Sequence, residues 1–216
     1  RAKHGVELGY TPDDMQVGMA LKAAIEALPA PGVMADIQAA VDYAAKTSGG
    51  KVGIVGYCWG GLLSWRAAAL VKGLSAAVPY YGGGSTTDEE IARHPNCPVL
   101  AHYAEEDHWI PLDTVEKFKH AHPEVEVHLY PANHGFNCDH RGAYQAASAK
   151  LALERTLAFF ADRVEGNLLA AHQEIQKLGL LHPPGELSQE QVESAVVNVA
   201  RYDVFKLSES VLSGQV

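Results

Sequence analysis

Lys51-Val52-Gly53-Ile54-Val55-Gly56-Tyr57-Cys58-Trp59-Gly60-Gly61 is a short apolar run that ends in a cysteine flanked by glycines, and a helix-like stretch from 62 to 71 follows it. Strand, tight turn and helix, in that order, form the context in which G-x-nucleophile-x-G marks a nucleophile elbow. Such a turn holds its central residue in a strained backbone conformation. The crowding of strand against helix then gives a steric reason for the glycines two before and two after it, Gly56 and Gly60. With sulfur at the centre, the pattern predicts a thiolate nucleophile at Cys58.

The same alternation continues on both sides of the elbow. Helical spacing covers 13–28, 33–46, 60–72, 88–93, 112–120 and 142–163, and strand-like runs cover 51–56, 74–81, 97–103 and 125–130. Strands alternating with helices predict an α/β class, with a mostly parallel sheet flanked by helices. In such sheets function gathers in the loops after the carboxyl ends of the strands. Beyond 165 the character changes: 168–181 is amphipathic, His182-Pro183-Pro184-Gly185 breaks it, and a second helical pattern runs over 189–213. The expected organisation is an α/β domain over 1–165 and a helical extension over 166–216.

The 216 residues carry a formal net charge of −9, with 47% apolar and 20% charged side chains. That balance fits a globular domain and argues against nucleic acid or an anionic membrane as partner. No apolar run approaches the roughly 18–20 residues that span a bilayer. Three cysteines without framework spacing, and no export signal, point to reduced thiols in the cytoplasm. The opening Arg1-Ala2-Lys3-His4 reads like a chain entered part-way.

A thiolate nucleophile needs a base, and the base an orienting acid. In nucleophile–acid–base order, each after a later strand, the chain offers Asp107 within Glu105-Glu106-Asp107-His108-Trp109-Ile110-Pro111 and His134 within Asn133-His134-Gly135-Phe136. Glu105 and Glu106 compete with Asp107 for the acid's place. The backbone N–H of Trp59, at the start of a helix, is placed to donate to an oxyanion. Cys97 and Cys138 read as small buried apolar residues. His120-Ala121-His122 could suggest metal, but no third ligand has matching spacing; it reads as a solvated helix end, and no metal site is expected.

These motifs, together with Val78-Pro79-Tyr80-Tyr81-Gly82 and Leu153-Glu154-Arg155-Thr156-Leu157-Ala158-Phe159-Phe160, resemble the dienelactone hydrolase (carboxymethylenebutenolidase) family over roughly residues 1–163. The resemblance implies an α/β-hydrolase fold and a triad carried by Cys58, Asp107 and His134. The implied partner is a small ester or lactone, cleaved without a cofactor. Tyr81 and Phe136 match pocket-lining positions, and Arg1 matches an arginine that receives a substrate carboxylate. The family often has a further arginine four residues after the histidine; here that position is Cys138, and Arg141 is the nearest arginine. The resemblance also implies upstream strands, a second oxyanion-hole amide and a glutamate that helps to form the thiolate, none of which the sequence contains. Two other readings stay open: a non-catalytic binding or assembly protein that keeps the hydrolase shape, and a general carboxylesterase. The C-terminal helices suggest a route to a homo-oligomer.

Overall fold

Thr11 starts the first helix. Its Oγ1 accepts the backbone N–H of Asp14 at 3.2 Å, Pro12 supplies a preset φ in the first turn, and Asp13 and Asp14 complement the positive end of the helix dipole. The computed structural model describes residues 6–48 and 50–164. Over them the elements run Pro12–Glu26 (α1), Val33–Ser48 (α2), Val52–Tyr57 (β1), Trp59–Leu70 (α3), Leu74–Tyr80 (β2), Asp88–Ile91 (α4), Leu100–Ala104 (β3), Leu112–Ala121 (α5), Glu126–Tyr130 (β4) and Ala146–Arg163 (α6). The chain divides into two compact units, Arg1–Thr156 and Leu157–Val216. The second is described only over its first residues, and the helices expected at 168–181 and 189–213 lie outside the described residues. No described helix is long and apolar enough to cross a membrane.

The four strands form one parallel sheet in the order β1-β2-β3-β4. Parallel strands are buried on both faces, and β3 is buried at all five positions. Val41 of α2 packs with Ala67 and Val71 beside Ile37, Val52, Ile54 and Leu74, which seats α2 against α3 and β1.

The strand expected from 97 begins only at Leu100. Pro79 explains the thin pairing there. Ala77 N–H donates to Pro98 O at 3.0 Å and Tyr81 N–H to His102 O at 2.7 Å. In that register the intervening donor belongs to position 79, and proline has no N–H to give to Leu100. The lost bond is offset by side chains. Tyr80 Oη lies 2.7 Å from Thr156 Oγ1, which is 2.9 Å from His102 Nε2, and His102 Nδ1 is 2.8 Å from Tyr130 Oη. Burial, with the charges of His128 and Arg155, pulls the His102 pKa down to about 3, so the ring is neutral when it joins β2, β3, β4 and α6.

Of the two flanking glycines, only Gly56 is crowded. A Cβ on Gly56 would run into the Gly60 carbonyl and Ser64 Oγ, whereas one on Gly60 would meet nothing within 4 Å. The crowded partner is Gly61, whose Cβ would strike Tyr80 O and approach the Gly82 Cα within 2.9 Å. Helical geometry turns the residue three after Cys58, not the one two after it, onto the end of β2.

Candidate active site

Cys58 sits between β1 and α3 with φ 54° and ψ −118°, a left-handed conformation that non-glycine residues avoid. Hydrogen bonds hold it there. Its N–H donates to Tyr80 O at 3.1 Å, and its carbonyl accepts from Gly61 N at 2.9 Å and Leu62 N at 3.2 Å. The sharp bend presents the sulfur at the carboxyl end of the sheet, where Cys58 is exposed.

The loops after β3 and β4 supply the rest. His134 Nε2 is 3.1 Å from Cys58 Sγ, and His134 Nδ1 is 2.7 Å from Asp107 Oδ2. Asp107 is buried, and its other oxygen accepts the Trp109 N–H at 2.8 Å, which fixes the carboxylate plane. Glu105 and Glu106 are exposed, and Glu106 Oε2 instead accepts from Asn133 Nδ2 at 3.2 Å. Of the three neighbouring acids, the fold aims only Asp107 at the imidazole.

The hydrogen bond from His134 is the main influence that lowers the Cys58 pKa; burial opposes it, while the His134 charge, the Trp59 N–H and the more distant Arg141 assist. Burial lowers the His134 pKa, but the hydrogen bonds and charges of Asp107 and Cys58 together outweigh it and lift it to about 9. Both shifts favour thiolate beside imidazolium. Alkylation of Cys58 by iodoacetamide is therefore expected to rise to its plateau at lower pH than that of an ordinary thiol. Any reaction that needs the imidazolium proton should decline as pH passes about 9. A pH–rate profile of alkylation matching that of free cysteine would exclude the ion pair.

Tyr81 and Phe136 are brought to the site. Tyr81, held at φ 35°, places its ring 5.2 Å from both the His134 and Phe136 rings, and both side chains are buried. Arg141 is also present: a Cβ on Gly135 would lie 3.0 Å from its Nη1, so the guanidinium lies over the residue that follows His134. Arg1 lies outside the described residues. The Trp59 ring lines a cavity of about 390 Å³ beside the elbow, with Ile25, Leu28, Pro31, Met34 and Arg66. One neighbour, Tyr10, carries no sequence motif. Tyr10 Oη is 3.1 Å from Cys138 Sγ, and Arg141 stands 5.8 Å over the Tyr10 ring, so Cys138 is a hydrogen-bonded group at the rim and not simply an apolar filler. A contact across 128 positions of sequence leaves no local signature.

A parallel sheet bearing a strained elbow, with an acid and an imidazole on later loops, defines the α/β-hydrolase class. The model of the dienelactone hydrolase family matches residues 4–164. A relative from Salmonella typhi named "Putative carboxymethylenebutenolidase" is 34% identical over 168 residues, which cover 71% of this chain and 62% of that protein. The carboxymethylenebutenolidase of Pseudomonas putida is 38% identical over 135 residues, covering 58% of this chain and 56% of its own. A crystal structure named "Putative Dienelactone Hydrolase", from Klebsiella pneumoniae, aligns with a TM-score of 0.58 and 35% identity over 63% of each chain. This chain belongs to the dienelactone hydrolase family. It spans about three-fifths of the length of the first of these relatives, 62%.

Proposed function

We propose that the chain carries the reacting centre of a hydrolase that opens an ester or lactone through a thioester on Cys58. The observation that carries this reading is the unbroken relay from Sγ to Nε2 at 3.1 Å and from Nδ1 to Oδ2 at 2.7 Å. The Cys58 thiolate adds to the carbonyl carbon, and the electron pair moves onto oxygen. The Trp59 N–H, already directed at the sulfur, donates to that oxyanion; one such donor contributes about 2.7–4 kcal/mol of transition-state stabilisation. As the intermediate collapses, the C–O bond breaks and the His134 imidazolium gives its proton to the leaving alkoxide. His134, now neutral, takes a proton from water, whose oxygen displaces the sulfur and returns it as thiolate. Asp107 keeps Nδ1 protonated throughout and stabilises the imidazolium.

Arg141 beside His134 and the aromatic wall of Tyr81 and Phe136 suit a flat, unsaturated substrate that bears a carboxylate, a dienelactone-like lactone. The test offers the full chain a carboxylate-bearing lactone and a neutral ester of the same size, and follows both turnover and intact mass. Faster opening of the acid, with one acyl group trapped on Cys58, is the expected result. Equal rates would favour a general carboxylesterase, and no turnover of either would leave a binding protein with a hydrolase shape.

A further inference from the structure

His122 is not the solvated helix end its sequence context suggests: it is 1% exposed, packed against Trp65 and Phe118 at ring distances of 5.0 and 4.9 Å. Its Nε2 lies 2.8 Å from the Ile91 carbonyl, and its Nδ1 lies 3.0 Å from Glu124 Oε1. A carbonyl only accepts, so Nε2 carries a hydrogen. In a neutral imidazole that leaves Nδ1 as a lone pair, facing a carboxylate oxygen that also offers only lone pairs. Something positive belongs between them. A third donor is at hand: the His94 ring stands 5.9 Å from the His122 ring, and the donor atoms of His94, His122 and Glu124 all lie within 4.8 Å of one another.

From this juxtaposition we infer that His94, His122 and Glu124 form a binding site for a divalent transition metal, with Zn²⁺ as the cation that fits it best. Two imidazoles and one carboxylate, with water in the fourth position, are a familiar tetrahedral zinc set. In such a site metal–ligand bonds of about 2.0–2.2 Å put the ligand atoms roughly 3.4 Å apart. The side chains that must close in, His94 and Glu124, are both exposed, and they leave the cation a path from solvent. The Nε2–H bond to Ile91 O is the outer-shell contact that orients a metal-bound histidine. Aspects of location decide the role. His94 lies in the connection between α4 and β3, and His122 and Glu124 lie between α5 and β4, at the amino ends of strands whose carboxyl ends carry the reacting groups. The metal therefore clamps two connections together and takes no part in turnover.

The experiment titrates ZnCl₂ into the chelator-treated full chain by calorimetry and repeats thermal melts with and without the metal. Wild type, His94→Ala, Glu124→Gln and Cys58→Ser are compared, the last because a thiolate competes for zinc. Wild type and Cys58→Ser should each bind one Zn²⁺ and melt at higher temperature with it. His94→Ala and Glu124→Gln, both at exposed positions, should melt like metal-free wild type, bind at least about tenfold more weakly and lose the zinc-dependent rise. Absence of binding by wild type, unchanged binding by His94→Ala, or loss of binding in Cys58→Ser would overturn the site. The first of these would leave a proton, and thus a simple ion pair, between His122 and Glu124.

Discussion

Cys58→Ala is expected to cut lactone turnover by about 10⁴-fold or more, with the melting temperature nearly unchanged. The size follows from chemistry that no neighbour can replace. Without Sγ no thioester forms, and His134 has only water to activate, at a position the elbow does not control. What survives is the contribution of the Trp59 N–H and of substrate positioning. The fold should tolerate the change, because alanine keeps the Cβ already accommodated at φ 54°, and the bonds that hold the bend are all backbone bonds. Cys58→Ser tests the ion pair separately. A hydroxyl ionises far above the pH at which His134 loses its proton, about 9, so a serine at that position starts from a neutral pair and should also be strongly impaired. Measured kcat/KM equal in wild type and Cys58→Ala would remove the thioester from the reaction.

The largest stability effect is expected at Gly56. A methyl group there runs into the Gly60 carbonyl, which is backbone held in α3 and has no rotamer to escape into. Overpacking of this kind costs about 1–3 kcal/mol where side chains can move, and more where backbone must. Gly56→Ala should therefore lose at least about 3 kcal/mol in a denaturant titration, or fail to accumulate as folded protein. Gly60→Ala, four residues on in the same motif, carries the opposite sign. Its Cβ meets nothing within 4 Å, and alanine in a helix is favoured over glycine by about 0.5–1 kcal/mol. Equal losses at both positions would contradict the packing of α3 on β1 and β2.

The elements were legible in the sequence to within a few residues because their signals are local: Thr11-Pro12 opens α1, and the glycines bracket Cys58. The main discrepancy in the strands, the late start of β3, was not legible, since the missing bond at Pro79 has a consequence only once Leu100 lies opposite it. The burial of His122 was not legible for a similar reason. This histidine follows a polar helix end, but the residues that bury it, Trp65 and Phe118, and the carbonyl that binds it, Ile91, come from other parts of the chain.

The order of Cys58, Asp107 and His134 along the chain, and the sharp bend at Cys58, were determined by sequence alone. A turn between a strand and a helix is governed by sterics among adjacent residues, and those are written side by side. Only the tertiary structure decided that Asp107, and not Glu105 or Glu106, turns inward, that Gly61 bears the crowding, and that Tyr10 reaches Cys138. These choices depend on a few ångströms between chemically similar groups, and such distances exist only after distant segments have packed.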